Sequence, residues 1–239
     1  MLRKFGYKYT ILYIPPIFLL NILQPLLFIE QLPLKKPKSV SDLLKSYIYT
    51  FKGSVTPFFL LNSLLGRGVQ LSVLMLVFSH ISSEVNNQTA VISSTVFGFS
   101  YLVSSLSLTL ILLKLKLNCY VTQIIFNVTT GLACWLAAAF NIPVVYYVCS
   151  ACLGVTHGGI LAIKGAFIIH IYPPDVIEYL YGLSGAVACI GSFTFPLAGG
   201  YIQKYYGGSY GLYFFGAAAI AGGLMLVIAG LFRRDLWMS

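Results

Sequence analysis

Between residues 56 and 232 the chain runs through six apolar stretches, each more than 20 residues long and parted from the next by only a few residues. About 20 helical residues cross the ~30 Å hydrocarbon core of a bilayer, so each stretch is long enough to span it. Inside lipid the backbone has no water to bond to, and only a helix satisfies its own N–H and C=O groups within one segment. These two facts leave an all-α, polytopic membrane helix bundle as the expected fold. Composition agrees: 58% of residues are hydrophobic and 9% charged, whereas an ordinary soluble domain carries about 25% charge. A chain of 239 residues filled by such stretches has no room for a soluble catalytic domain.

The net charge of +9 would suit a nucleic-acid partner if the cations shared a face, but they sit between apolar runs. Lys35, Lys36, Lys38, Lys45 and Lys52 cluster before residue 56, Lys114 and Lys116 follow the second of the six runs, and Arg233 and Arg234 follow the last. This is the bias of cytoplasmic loops, and no nucleic acid is expected as a partner. The apolar run at 10–29 follows Arg3, Lys4 and Lys8; it has no small-residue cleavage site and is too long for a signal peptide. It reads as a further span (1–29), kinked at Pro15, Pro16 and Pro25, with 30–53 as a cytoplasmic loop and 54–239 as a six-helix bundle.

The spans of that bundle are expected near 56–80, 88–113, 119–140, 143–171, 179–203 and 210–232, about seven transmembrane helices in all. With 30–53 inside, the amino terminus lies outside and the carboxyl terminus inside. The sequon Asn87-Gln88-Thr89 then falls on the outer face, where glycans are added, and Asn87 is a candidate acceptor. Asn127-Val128-Thr129 lies within a span and reads as a chance match. The five cysteines include Cys149 and Cys152 in a C-x-x-C, but they sit in apolar runs and read as inert thiols.

Polar groups inside the spans carry the functional signal, because a charge there costs ~2.5–3.5 kcal/mol on insertion scales and is retained for a reason. Arg67 stands near the middle of its run, and at 100° per residue Ser63, Arg67 and Gln70 fall within a sector of ~60°. In the 143–171 span Ser150, His157 and Lys164 repeat every seven residues, beside a stripe of Gly154, Gly158, Ala162 and Ala166 at a spacing of four. Such a stripe lets a neighbouring helix approach closely. A structural histidine and a lysine snorkelling to the cytoplasmic surface are the plainer readings of that polar stripe. Ser94, Tyr101 and Ser105 share a face of the 88–113 span, and Gly185, Ser192, Pro196, Gly199 and Gln203 share one of the 179–203 span, as a kinked, mobile helix would place them.

No metal-ligand set, phosphate loop or nucleophile motif occurs, so neither an enzyme nor a cofactor is expected. A seven-helix receptor would share the topology, but the last span has no N-P-x-x-Y and no D-R-Y-like triplet follows the third. A non-transporting accessory membrane protein is the other alternative.

The order of motifs resembles the carboxyl half of the monocarboxylate transporter family of the major facilitator superfamily. Phe5-Gly6-Tyr7-Lys8 is similar to the entry to that family's sixth helix, Asn62 and Gly68 to its seventh, and Ser94-Thr95-Val96-Phe97-Gly98-Phe99 to the opening of its eighth. Tyr181-Gly182-Leu183, Gly191, Pro196-Leu197-Ala198-Gly199-Gly200, Gly207-Gly208-Ser209-Tyr210 and Phe214-Phe215 resemble its eleventh and twelfth. The resemblance implies helices six to twelve of a twelve-helix transporter. It also implies a missing amino-terminal half, or a second copy, to complete the cavity, and transport by alternating access in a multi-pass protein of the plasma membrane. Proton-coupled members carry an acid and an arginine where Tyr101 and Ser105 stand here, so that coupling is not implied. The expected substrate is a small organic anion such as a monocarboxylate. Arg67 would bind it, with Ser63, Gln70, Tyr101, Ser105, His157 and Lys164 as polar partners and Gly185, Pro196 and Gly199 permitting helix motion.

Overall fold

The computed structural model describes residues 55–115, 117–172, 177–233 and 236. The expected first span, the lysine-rich 30–53 loop, Lys116, Asp175 and Arg234 lie outside the described residues. Six helices follow one another: α1 Thr56–Glu84, α2 Asn87–Leu115, α3 Cys119–Ala139, α4 Pro143–Ile171, α5 Ile177–Tyr206 and α6 Gly208–Phe232. All six are long and apolar enough to cross a membrane. Each of the six expected spans is present, and the ends of five differ by one to four residues; only α4 keeps both its expected limits.

Local chemistry sets the ends. Pro143 opens α4, where its missing N–H costs nothing. Asn118 caps α3, its side-chain oxygen accepting from the Tyr120 and Val121 N–H groups at 2.8 and 3.2 Å. Asn86 does the same for α2 through the Thr89 N–H at 2.7 Å. The single residue between α5 and α6 is Gly207 at φ +105°, a conformation open to glycine and strained for other residues.

Helices with apolar residues all round gain little from hydrophobic burial against one another in lipid, so they associate by close packing of small residues. Three glycine crossings do this here. A methyl group on Gly154 would come within 2.4 Å of the Phe97 carbonyl oxygen, and one on Gly158 within 2.3 Å of that of Tyr101, joining α4 to α2. Gly191 of α5 lies against the Leu64 carbonyl of α1, where a methyl would meet it at 2.2 Å. Gly131 and Gly216 face each other's carbonyls across α3 and α6. The stripe at Gly154 and Gly158 is therefore a packing seam, as its spacing predicts.

Polar contacts tie the helix ends in two groups. At one end the Tyr172 hydroxyl donates to Thr56 Oγ1 at 3.2 Å, Arg233 donates to the Ile171 carbonyl at 2.8 Å, and Asn118 donates to the Leu236 carbonyl at 2.9 Å. Burial pushes the Tyr172 phenol up to about 12, so it stays a neutral donor. At the other end His80 of α1, Asn141 before α4, Tyr146 of α4 and Gly208 of α6 come together. Successive helices thus run in opposite directions, as the alternating inside and outside breaks require. His80 is buried at 3% exposure against Tyr146.

Candidate functional site

The Arg67 face of α1 borders two clefts. A narrow one of about 60 Å³ is lined by Asn62, Ser63, Gly66, Arg67 and Gln70 of α1, Gln123 of α3 and Lys164 of α4, with Phe59, Phe167 and Ala188 among its apolar walls. A wider one of about 360 Å³ is lined by Arg67, Gln70 and Leu74 of α1, Phe97, Gly98 and Tyr101 of α2, and His157 of α4. The wider cleft reaches the lower range of small-molecule sites. Arg67 and Gln70 belong to both, so the guanidinium stands where the two spaces adjoin.

Helical periodicity explains the placement. Ser63, Arg67 and Gln70 occupy one stripe, and Arg67 Nη1 donates to Gln70 Oε1 at 3.0 Å, which steers the fork while leaving its other donors free. Ser63 spends its proton on the Phe59 carbonyl one turn back, at 3.0 Å, and offers the cleft an acceptor. His157 and Lys164, two turns apart on α4, face the wider and narrower clefts respectively. Lys164 is half-buried, with its ammonium 4.9 Å from the centre of the Tyr181 ring, a cation–π contact with α5.

His157 is 2% exposed, its ring set edge-on to Phe97 with centroids 5.7 Å apart. Neither of its nitrogens has a hydrogen-bond partner in the structure. A buried polar group is normally paired, so this imidazole is an open valence on the wall of the wider cleft.

Six of the seven sequence-derived binding residues therefore meet around the two clefts. Ser105 does not: its hydroxyl donates to the Leu102 carbonyl of its own helix at 2.9 Å, and it lines neither space. Its neighbour Ser104 is buried and bonds across to the Val155 carbonyl of α4 at 2.7 Å, which is packing. Of the residues expected to permit motion, Pro196 lies inside a continuous α5. Gly185 has open space at its α-carbon, and Gly199 packs against the Phe215 ring. Asn87 is exposed at the start of α2 and accepts from the Ser82 hydroxyl.

Sequence reasoning passed over the α3 contribution. Asn127 is 2% exposed and donates to Asn62 Oδ1 at 2.8 Å, so its sequon is a buried interhelical bond. Gln123, one turn earlier, reaches the narrow cleft, and Thr130 bonds Thr156 of α4 at 2.9 Å. The signal was present, since Gln123, Asn127 and Thr130 fall on one face at spacings of four and three. Among the described residues no cluster could hold a metal ion.

Against known proteins, no family model matches the chain. Over 95 residues, 40% of its length, it is 30% identical to the MFS-type transporter opdF of Penicillium oxalicum (strain 114-2 / CGMCC 5302). That match spans 22% of the relative's own length. The similarity is to an MFS-type transporter and does not single out the monocarboxylate family. The chain is an integral, multi-pass membrane helix bundle with this partial likeness.

Proposed function

We propose that the chain is the substrate-binding bundle of a membrane transporter for small organic anions, corresponding to the carboxyl half of a major facilitator fold. The observation that carries this reading is Arg67. It stands eleven residues into a 29-residue spanning helix, is exposed on the bundle surface, and borders both clefts. A cation at that depth is unfavourable against lipid, so its face belongs to a watered or protein-lined path. In alternating-access transporters the substrate lies near the midplane between two bundles, and the Arg67 face would be the wall turned toward the other bundle. The opposing wall would come from an amino-terminal half or a second copy. The partial similarity to an MFS-type transporter supports the same architecture.

In this reading Arg67 binds a carboxylate by charge-assisted hydrogen bonds, Gln70 fixes the guanidinium, and the other polar side chains of the two clefts orient the substrate. Pro196 and the small residues of α5 let that helix move. Uptake of radiolabelled carboxylates by cells expressing the gene's full product tests it. Hydrogen bonds to charged groups contribute ~1.5–3 kcal/mol, so Arg67→Ala should lower uptake efficiency by roughly ten- to a hundredfold. Unchanged uptake and affinity in that variant would refute the assignment.

A further inference from the structure

Only two charged residues lie two helical turns or more inside the described spans, Arg67 of α1 and Lys164 of α4. Glu84, Lys114, Glu178 and Lys204 all stand within a turn of a helix end. Both interior charges are positive, and both line the narrow cleft. Among the described side chains no carboxylate lines either cleft; the remaining polar groups there are amides, hydroxyls and an imidazole.

Among the described side chains no carboxylate neutralises either cation. Arg67 is steered by the neutral Gln70 amide, and Lys164 rests on the Tyr181 ring. Two like charges in one low-dielectric groove repel each other, and a single carboxylate would leave one of them uncompensated. The adjoining cleft adds His157, buried with both ring nitrogens unpartnered, so the polar lining as a whole is under-satisfied within the bundle.

We infer that this site takes a short dicarboxylate, one carboxylate forked on Arg67 and the other on Lys164. The inference rests on the reading of the chain as an organic-anion transporter and sharpens it from one anionic group to two. The planar guanidinium suits a bidentate carboxylate, and the ammonium serves as a point charge that tolerates small differences in ligand length. The narrowness of the cleft between them favours a chain of a few carbons.

The test compares uptake of succinate with uptake of its monoamide, which keeps the carbon skeleton and one carboxylate. The full gene product is expressed in cells, and variant levels at the membrane are matched. The wild type should show a KM for succinate at least tenfold below that for the monoamide. Lys164→Gln should raise the succinate KM about tenfold and bring the two values together. Lys164→Arg, which keeps the charge, should retain the preference, and this separates a charge role from a folding role. Equal use of both compounds by the wild type, or equal loss of both in Lys164→Gln, overturns the dicarboxylate assignment and leaves the anion reading standing. If the wild type carries neither compound, nor any monocarboxylate, both fall.

Discussion

Replacing Gly158 by alanine tests whether backbone-to-backbone contact holds α2 against α4. The added methyl carbon would lie 2.3 Å from the Tyr101 carbonyl oxygen, where ordinary contact begins at 3.4 Å. The obstructing atom is backbone and has no rotamer to escape into, so α2 and α4 must part by about 1 Å along that direction. Overpacking of this kind costs ~1–3 kcal/mol, and a rigid clash belongs at the upper end. A separation of that size also forfeits a quarter to a half of each dispersion contact along the seam. Alanine regains about 1 kcal/mol of helix propensity over glycine, leaving a net loss of ~2 kcal/mol. Gly165 of the same helix, with nothing near its α-carbon, supplies the control: alanine there should be neutral or stabilising. Thermal unfolding in detergent, followed by labelling of the buried Cys134 and Cys149 thiols above the baseline of exposed Cys189, gives the comparison. Gly158→Ala should unfold several degrees below wild type and Gly165→Ala at or above it. Coincident curves for the two variants would refute the seam.

Three further outcomes follow from contacts elsewhere. Asn127→Leu leaves Asn62 Oδ1 without its donor and should destabilise the bundle by about 1 kcal/mol in the same unfolding assay, with Asn62→Leu/Asn127→Leu less destabilised than the sum of the single variants. Tyr146→Phe removes the hydroxyl that donates to Asn141 at 2.9 Å and lies 3.5 Å from His80 Nε2, and should cost ~0.5–1.5 kcal/mol by thermal unfolding. Reading Asn87 as a glycan acceptor predicts an endoglycosidase-sensitive band on gels that Asn87→Gln abolishes and Asn127→Gln does not, since Asn127 is buried.

Much of this architecture is legible because lipid removes alternatives. A run of more than 20 apolar residues has one backbone solution in a bilayer, so all six described spans follow from hydropathy, with errors only at their ends. Those ends depend on single residues, such as Asn86 or Gly207, whose capping or turning role outweighs local hydropathy. The Arg67 stripe is legible for a related reason: charge is so costly in mid-span that Ser63, Arg67 and Gln70 on one side imply a cleft before any neighbour is known. Hydroxyl residues carry no such penalty, since a serine satisfies itself on its own helix. Ser105 therefore shares a face with Tyr101 in projection and yet lines nothing, while Ser104 makes the interhelical bond.

What the spacing of one helix does not reveal is which partner helix arrives at which stripe. Lys164 illustrates the point. By sequence alone a lysine two turns from a helix end is equally a snorkelling surface residue, and its depth does not distinguish the two roles. The distinction comes from Tyr181, seventeen residues away on α5, whose ring keeps the ammonium beside the bundle, and from α1, which brings the Arg67 face to the same cleft. A glycine contact sets that approach: a side chain at Gly191 would collide with the Leu64 carbonyl, and Gly68 accommodates the Phe195 ring. The close crossing of α1 and α5 thus holds their polar stripes near α4. Small residues with no chemistry of their own determine whether Arg67 and Lys164 stand as two isolated cations or line one cleft.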